Sequence, residues 1–178
     1  DRAGRSLGEV GEPADYTYGG SPEISPDGRM ALINVLNTGR GNSDACVVDL
    51  ASGRRTRVTV DEGDHPAATW SSDGARIVVN DSQSARGSME FRTLGGTRVD
   101  TILTMQGTPW PRDVSPDGRF VLYNRPPSPG SSVRSIIAVP STGGGPELRV
   151  GPDHADAGMP QFRPSGENCG IPASAWSG

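Results

Sequence analysis

The chain contains no lysine; all 17 of its basic residues are arginine. That absence excludes a P-loop lysine, a Schiff-base lysine and a Ser–Lys dyad. It reads most simply as the mark of a GC-rich genome, because lysine codons are AT-rich. Cysteine is nearly absent. Cys46 and Cys169 lie far apart with no metal-type spacing, so they read as two unrelated thiols, and spacing alone supports no disulfide. Histidine occurs twice, and aromatic residues make up 5% of the chain. Positive charge is in deficit, the net charge being −4. With no basic stripe, nucleic acid is not the expected partner. No apolar run approaches the roughly 20 residues of a membrane-spanning helix, so no membrane insertion by this segment is expected. No stretch sustains a 3.6-residue hydrophobic period, which predicts almost no helix.

What the chain does have is glycine and proline, 25 and 16 residues out of 178. Such a content without period would point to disorder. Here it recurs in a repeated phrase. Ile-Ser-Pro-Asp-Gly-Arg-Met-Ala-Leu-Ile-Asn starts at Ile24, Trp-Ser-Ser-Asp-Gly-Ala-Arg-Ile-Val-Val-Asn at Trp70, and Val-Ser-Pro-Asp-Gly-Arg-Phe-Val-Leu-Tyr-Asn at Val114. A worn fourth copy, Phe-Arg-Pro-Ser-Gly-Glu-Asn, starts at Phe162. The phrase glycines Gly28, Gly74, Gly118 and Gly166 are spaced by 46, 44 and 48 residues. A period of this size, built of short strands and tight turns, signals a β-propeller with one blade per repeat.

Each repeat reads as four strands. In the second, residues 67–71 are an inner strand, Asp73-Gly74 a hairpin turn, 76–80 a second strand, 88–93 a third, Gly95-Gly96 a turn and 98–103 a fourth. Ile77, Val78 and Val79 in a row suit a strand covered on both faces, as between stacked blades. The first repeat gives strands at 30–35, 45–50 and 55–60, and the third at 119–124, 135–139 and 147–150. The ends carry the halves of a fourth blade: residues 6–10 read as an outer strand and 160–163 as an inner one. The expectation is therefore an all-β propeller of four-stranded antiparallel blades, three full blades plus one split between the N- and C-termini. It forms a single domain over 1–178, with repeats near 20–60, 61–105, 106–150, and 151–178 together with 1–19. A split blade spares a propeller a raw sheet edge. The tail after Gly166 departs from the pattern, because Pro172 opposes a central strand.

At the Ser-Pro-Asp-Gly-Arg phrases the chain resembles the TolB-type, WD40-like propeller family over roughly residues 15–166. Asp1-Arg2-Ala3-Gly4-Arg5, Gly11-Glu12-Pro13-Ala14-Asp15-Tyr16, Asp49-Leu50-Ala51-Ser52-Gly53 and Pro160-Gln161-Phe162 are, further, similar to the C-terminal propeller of bacterial membrane-anchored Ser/Thr kinases. That resemblance implies an extracytoplasmic sensor or protein-binding module with no chemistry of its own. Related propellers cap prolyl oligopeptidase-type peptidases, which gives an alternative role as a gating propeller whose catalytic domain lies outside these residues. Family members usually have more blades, which leaves a fragment, a four-bladed ring, or a unit completed by self-association.

Candidate chemistry is sparse. Asp27, Asp73 and Asp117 each sit in a repeat turn and read as turn formers. No Gly-x-Ser-x-Gly elbow is present, and Gly39-Arg40-Gly41 lacks the rest of a dinucleotide loop. Asn80-Asp81-Ser82 is a formal glycosylation sequon. Residues 125–130 form a rigid Pro-rich loop. The two histidines each follow an aspartate in an inter-blade loop, Asp64-His65 and Asp153-His154-Ala155-Asp156. Trp70 and Phe162 occupy the same repeat position and are expected to pack between blades. Trp110, flanked by two prolines, lies four residues before its phrase, out of that register, and is expected near the channel mouth. The partner-binding candidates are thus Asp64, His65, Trp110, Arg112, Asp113, Asp153, His154 and Asp156, polar rim contacts around an aromatic anchor. No catalytic residue, metal or cofactor is expected. The expected function is a non-catalytic module binding a protein or peptide through its inter-blade loops, with a unit that self-assembles by sharing blades as the alternative.

Overall fold

The computed structural model describes residues 3, 5, 6, 8–15, 22–82, 86–128, 131–151 and 160–162. Among them every regular element is a strand. The first sheet is β1 (Glu23–Ile24), β2 (Met30–Asn37), β3 (Asn42–Asp49) and β4 (Arg55–Arg57). The second is β5 (Ala68–Trp70), β6 (Arg76–Asp81), β7 (Arg86–Thr93) and β8 (Val99–Gln106), and the third is β9 (Trp110–Val114), β10 (Phe120–Arg125), β11 (Ser135–Pro140) and β12 (Leu148–Arg149). In each sheet the strands pair antiparallel in chain order. These are three consecutive propeller blades.

The repeated phrase builds the inner hairpin of each blade. Ser71 Oγ donates to Asp73 Oδ1 at 2.6 Å, Asp73 Oδ1 also accepts Ala75 N at 3.0 Å, and Ser71 Oγ accepts Arg76 N at 3.0 Å. Ser25–Asp27 and Ser115–Asp117 repeat this arrangement, each at 2.6 Å. The glycine that follows has φ of 73°, 69° and 73° at Gly28, Gly74 and Gly118, a conformation that only glycine adopts cheaply. The aspartates of this phrase are turn formers, as the sequence implied.

Beyond the turn the apolar run divides its side chains between two seams, because successive residues of a strand point to opposite faces. Ile77 and Val79 of β6 join Leu32, Ala45 and Val47 between the first and second blades. Val78 joins Val121, Tyr123 and Val139 between the second and third. The residue just before the phrase serine is a knob that fits onto the preceding blade. Trp70, 2% exposed, fills the first seam, Val114 fills the second, and Phe162 packs on Phe120, Leu122 and Ala138 of the third blade's far face. Ile24, at the same position in the first blade, is 53% exposed.

Several strand bounds shift, among them the start of β3, at Asn42 rather than residue 45. The fourth strand of the first blade ends at Arg57 rather than residue 60, since Val58 N and Thr59 N both turn to Ala45 O. That of the second blade runs on to Gln106, held by pairing with Arg86. At the ends, neither the described residues of 6–10 nor residues 160–162 belong to a strand. The remainder of the expected fourth blade lies outside the described residues. The N-terminal segment instead crosses the free face of the first blade. Leu36 N donates to Asp15 O at 2.7 Å, and Gly11 sits so close to Gly53 and Val48 that a Cβ there would lie 3.2 Å from Gly53 O. Beneath it Ile33, Cys46 and Val48 form a small apolar cluster. Burial pushes the Cys46 thiol up, so it stays protonated and inert. Cys169 lies outside the described residues.

Candidate partner-binding face

The loops leading from each fourth strand into the next inner strand gather on the face opposite the Asp-Gly turns. The loop between β4 and β5 is a hydrogen-bonded hinge. His65 is fully buried; its Nδ1 lies 2.7 Å from Asn80 O and its Nε2 2.7 Å from Asp61 Oδ1. Its backbone N donates to Ser43 O, and its carbonyl accepts Asn34 Nδ2, so one residue ties the first blade to the second. Asp64 is similarly engaged: Oδ1 accepts Ser43 N at 2.8 Å and Oδ2 accepts Ser82 Oγ at 2.7 Å. Burial pushes the Asp61 carboxyl up, but hydrogen bonds from His65 and Gly63 N and the charges of His65 and Arg92 outweigh it and hold it at about 2. The expectation that His65 is a rim contact is therefore corrected. Both ring nitrogens are satisfied and no part of the ring is exposed, so it positions the loop instead.

The inner strands carry a second set of carboxylates at equivalent repeat positions. Glu23 Oε2 accepts Trp70 N at 3.2 Å, and Glu23 O accepts Trp70 Nε1 at 3.1 Å, clasping the knob of the next blade. Asp113 does the same for the C-terminal segment: Oδ2 accepts Phe162 N at 2.5 Å while Oδ1 accepts Val114 N. Asp113 is thus a seam residue, not a rim contact. Burial, against hydrogen bonds from Thr69 and Trp70 and with added repulsion from Asp113, lifts Glu23 to about 7. Asp113 is raised too, by burial against its two backbone bonds. Sequence reading passed over Glu23; its signal is that it stands where Asp113 stands, two residues before the phrase serine.

Trp110 and Arg112 fall at the start of β9, on the loop face. Leu122 pairs with Asp113 and Tyr123 with Pro111, so Arg112 is the extra residue of a β-bulge. The inner strands β1 and β5 pair without one. The bulge adds one residue between Trp110 and the knob Val114; Trp110 itself pairs with Asn124, three ladder positions before that knob. The bulge turns the Arg112 side chain back toward the strand's start, where its guanidinium lies 5.9 Å from the Trp110 ring centroid and its Nε donates to Asn124 Oδ1 at 3.3 Å. Trp110 and Arg112 are both half-buried. Burial, then the neighbouring charge of Arg134, pulls the Arg112 guanidinium below its usual range. Asp153, His154 and Asp156 lie outside the described residues. Among the described residues no three His, Cys, Asp or Glu side chains converge as a metal site.

Elsewhere, a polar groove of about 510 Å³ runs along the outer rim, lined by Arg76, Phe91, Arg98, Asp100 and Thr142. Its two arginines share Asp100, at 3.5 and 2.9 Å. No described helix is long and apolar enough to cross a membrane.

No protein-family model and no curated protein matches the chain. Solved structures do. TolB of Acinetobacter baumannii is 22% identical, with a TM-score of 0.61 over 75% of this chain and 32% of its own. A TolB-type protein of Agrobacterium tumefaciens is 20% identical, with a TM-score of 0.62 over 84% of this chain and 54% of its own. A eukaryotic initiation factor, 14% identical, superposes with a TM-score of 0.54 over 85% of this chain and 37% of its own. The chain thus spans at most about half the length of these structures, and the fold it shares with them is the TolB-like β-propeller.

Proposed function

We propose that the chain is a non-catalytic propeller module that binds a protein or peptide on the face built by its inter-blade loops. The observation that carries this reading is the bulged start of β9. It leaves an indole and a guanidinium half-buried side by side, the residue types that anchor interfaces. Asp64, His65 and Asp113 serve this face from below, by fixing loops and seams. The likeness of fold to TolB-type propellers agrees with a binding module and with an extracytoplasmic setting. A sensor role of the kinase-linked kind is a narrower version of the same reading. The test is quantitative capture of partners by the immobilised chain, read by mass spectrometry, against Trp110→Ala. A partner retained by the native chain and lost by the variant is expected; capture that ignores the substitution overturns the assignment of this face.

A second reading is favoured by Ile24. Trp70, Val114 and Phe162 each pack on the blade or sheet before them, whereas Ile24 is an exposed knob with no blade before it among the described residues. A second copy of the chain supplying that blade makes assembly itself the function.

A further inference from the structure

We infer that the outer edge of β8, from Leu103 to Gln106, takes up an extended peptide segment as an added strand, at a second interaction surface apart from the loop face around Trp110. In each blade the fourth strand is the last of its sheet, so its outward N–H and C=O groups form an edge with which another extended chain can pair. Two of the three edges are blunted. β4 has three residues and reads Arg55-Thr56-Arg57, and β12 has only the two residues Leu148 and Arg149. Shortness and charge are ordinary protections of a sheet edge. β8 has eight residues, and beyond Asp100 it reads Thr101-Ile102-Leu103-Thr104-Met105-Gln106, with no charge, proline or glycine.

The first half of β8 is guarded. Its pairing with β7 shifts between Met89 and Glu90, which leaves Ile102 as the extra residue of a bulge. The turn after β11 lies against the same point, since a Cβ on Gly143 would stand 3.1 Å from Ile102 O and 3.2 Å from Thr101 O. The second half is regular, with Leu103 to Gln106 pairing in register with Met89 to Arg86. Among the described residues no backbone group of that stretch bonds outside the ladder with β7. An antiparallel ladder turns the N–H and C=O of every second residue outward, so the stretch presents about two donors and two acceptors in a line. An extended backbone repeats its own groups at that spacing, which is how strand addition gains its affinity. The side chains define the rest. Leu103 and Met105 pack against the apolar cluster between the second and third blades, while Thr104 and Gln106 are exposed. An added strand meets an apolar flank on one face and a polar flank on the other. The segment recognised therefore alternates apolar with polar residues.

The experiment is a titration of the isotope-labelled full chain with the acetylated, amidated peptide Gly-Thr-Val-Thr-Val-Thr-Gly, followed through the backbone amide resonances of β8. An analogue N-methylated along its length keeps the side chains and loses the donors. Saturable shifts and slowed amide exchange at Leu103–Gln106 are expected with the peptide and not with the analogue. Thr104→Pro and Met105→Pro test the edge itself. Adjacent residues point opposite ways, so one of the two substitutions removes an outward N–H and leaves the ladder intact. That variant should keep its fold by circular dichroism and lose about tenfold in affinity. Should both variants unfold, the analogue and the β8 shifts of the native chain decide alone. Equal binding of the analogue, unchanged affinity in both variants, or shifts that leave β8 unmoved overturns the proposal. So does a change in the β8 resonances with chain concentration alone, because a second copy would then fill the edge. Loss of the peptide in Trp110→Ala would place it on the loop face and sink the inference; peptide binding that survives Trp110→Ala, while partner capture does not, leaves both surfaces standing.

Discussion

Glu23 is the residue whose chemistry departs furthest from its ordinary value in a direction that matters near neutrality. Its carboxyl, clasping Trp70 N in the seam, titrates at about 7 rather than 4.5. A raised carboxyl binds its proton more tightly folded than unfolded. Stability is therefore greatest below about 4.5, declines as pH rises toward 7 and is level above that. Asp113, also raised, adds a slope of the same sign. Asp61, held at about 2, acts in the opposite sense: it stabilises above its unfolded value and loses that contribution only in acid, outside this window. Glu23→Gln removes the Glu23 part. Urea unfolding at pH 5 and pH 7.5 should show the native chain losing on the order of 1–2 kcal/mol more than the variant, after allowing for screening at a group water still reaches. Identical losses in the two proteins would mean that Glu23 is not held in this state.

At the scale of elements, the turn, the knob and the apolar run between blades were legible, and the polar contacts across the seams were not. The Ser-x-Asp-Gly phrase dictates its own hydrogen bonds within six residues, so a local reading recovers the turns and the strands that flank them. The placement of Trp70 between blades followed from its repeat position alone. Its truncation tests the seam: Trp70→Ala removes the side chain that joins Leu32, Ala45 and Val47 to Ile77 and Val79. It should cost about 3–5 kcal/mol in equilibrium unfolding, the usual range for a buried tryptophan. A cost below about 1 kcal/mol would contradict the packing described. Distance in sequence hid the rest. The burial of His65 depends on Asn80, fifteen residues away, and on Asp61, four away in the same loop. Its Asp-His pair thus resembled an exposed rim in the sequence. The bulge at Arg112 left no trace, because an extra residue in one strand shows only in the pairing of β9 with β10.

For the whole molecule, the governing question is what meets the first blade. Three blades stack by one rule, in which the residue before each phrase serine inserts into the blade before it. The rule is satisfied at Trp70 and Val114 and left open at Ile24. The N-terminal segment answers part of the need, since residues 11–15 cross the outer part of that face near Val48 and Leu36. On the inner strand, Ile24 stays 53% exposed. An uncovered β-branched knob on a short inner strand invites a neighbour, and contact through one blade's front and another's back is heterologous, closing into a ring or running on as a polymer. Light scattering coupled to size exclusion, over a hundredfold range of concentration, should give a mass above that of one 18.6 kDa chain, which Ile24→Arg returns to the monomer. The substitution places a charge where the neighbour's apolar face must sit, while touching nothing inside the existing seams. A concentration-independent monomer for the native chain would refute assembly and leave the loop face around Trp110 as the surface through which this propeller acts. Loss of assembly in Ile24→Arg with partner capture intact would show instead that the two surfaces work independently, one building the propeller and the other using it.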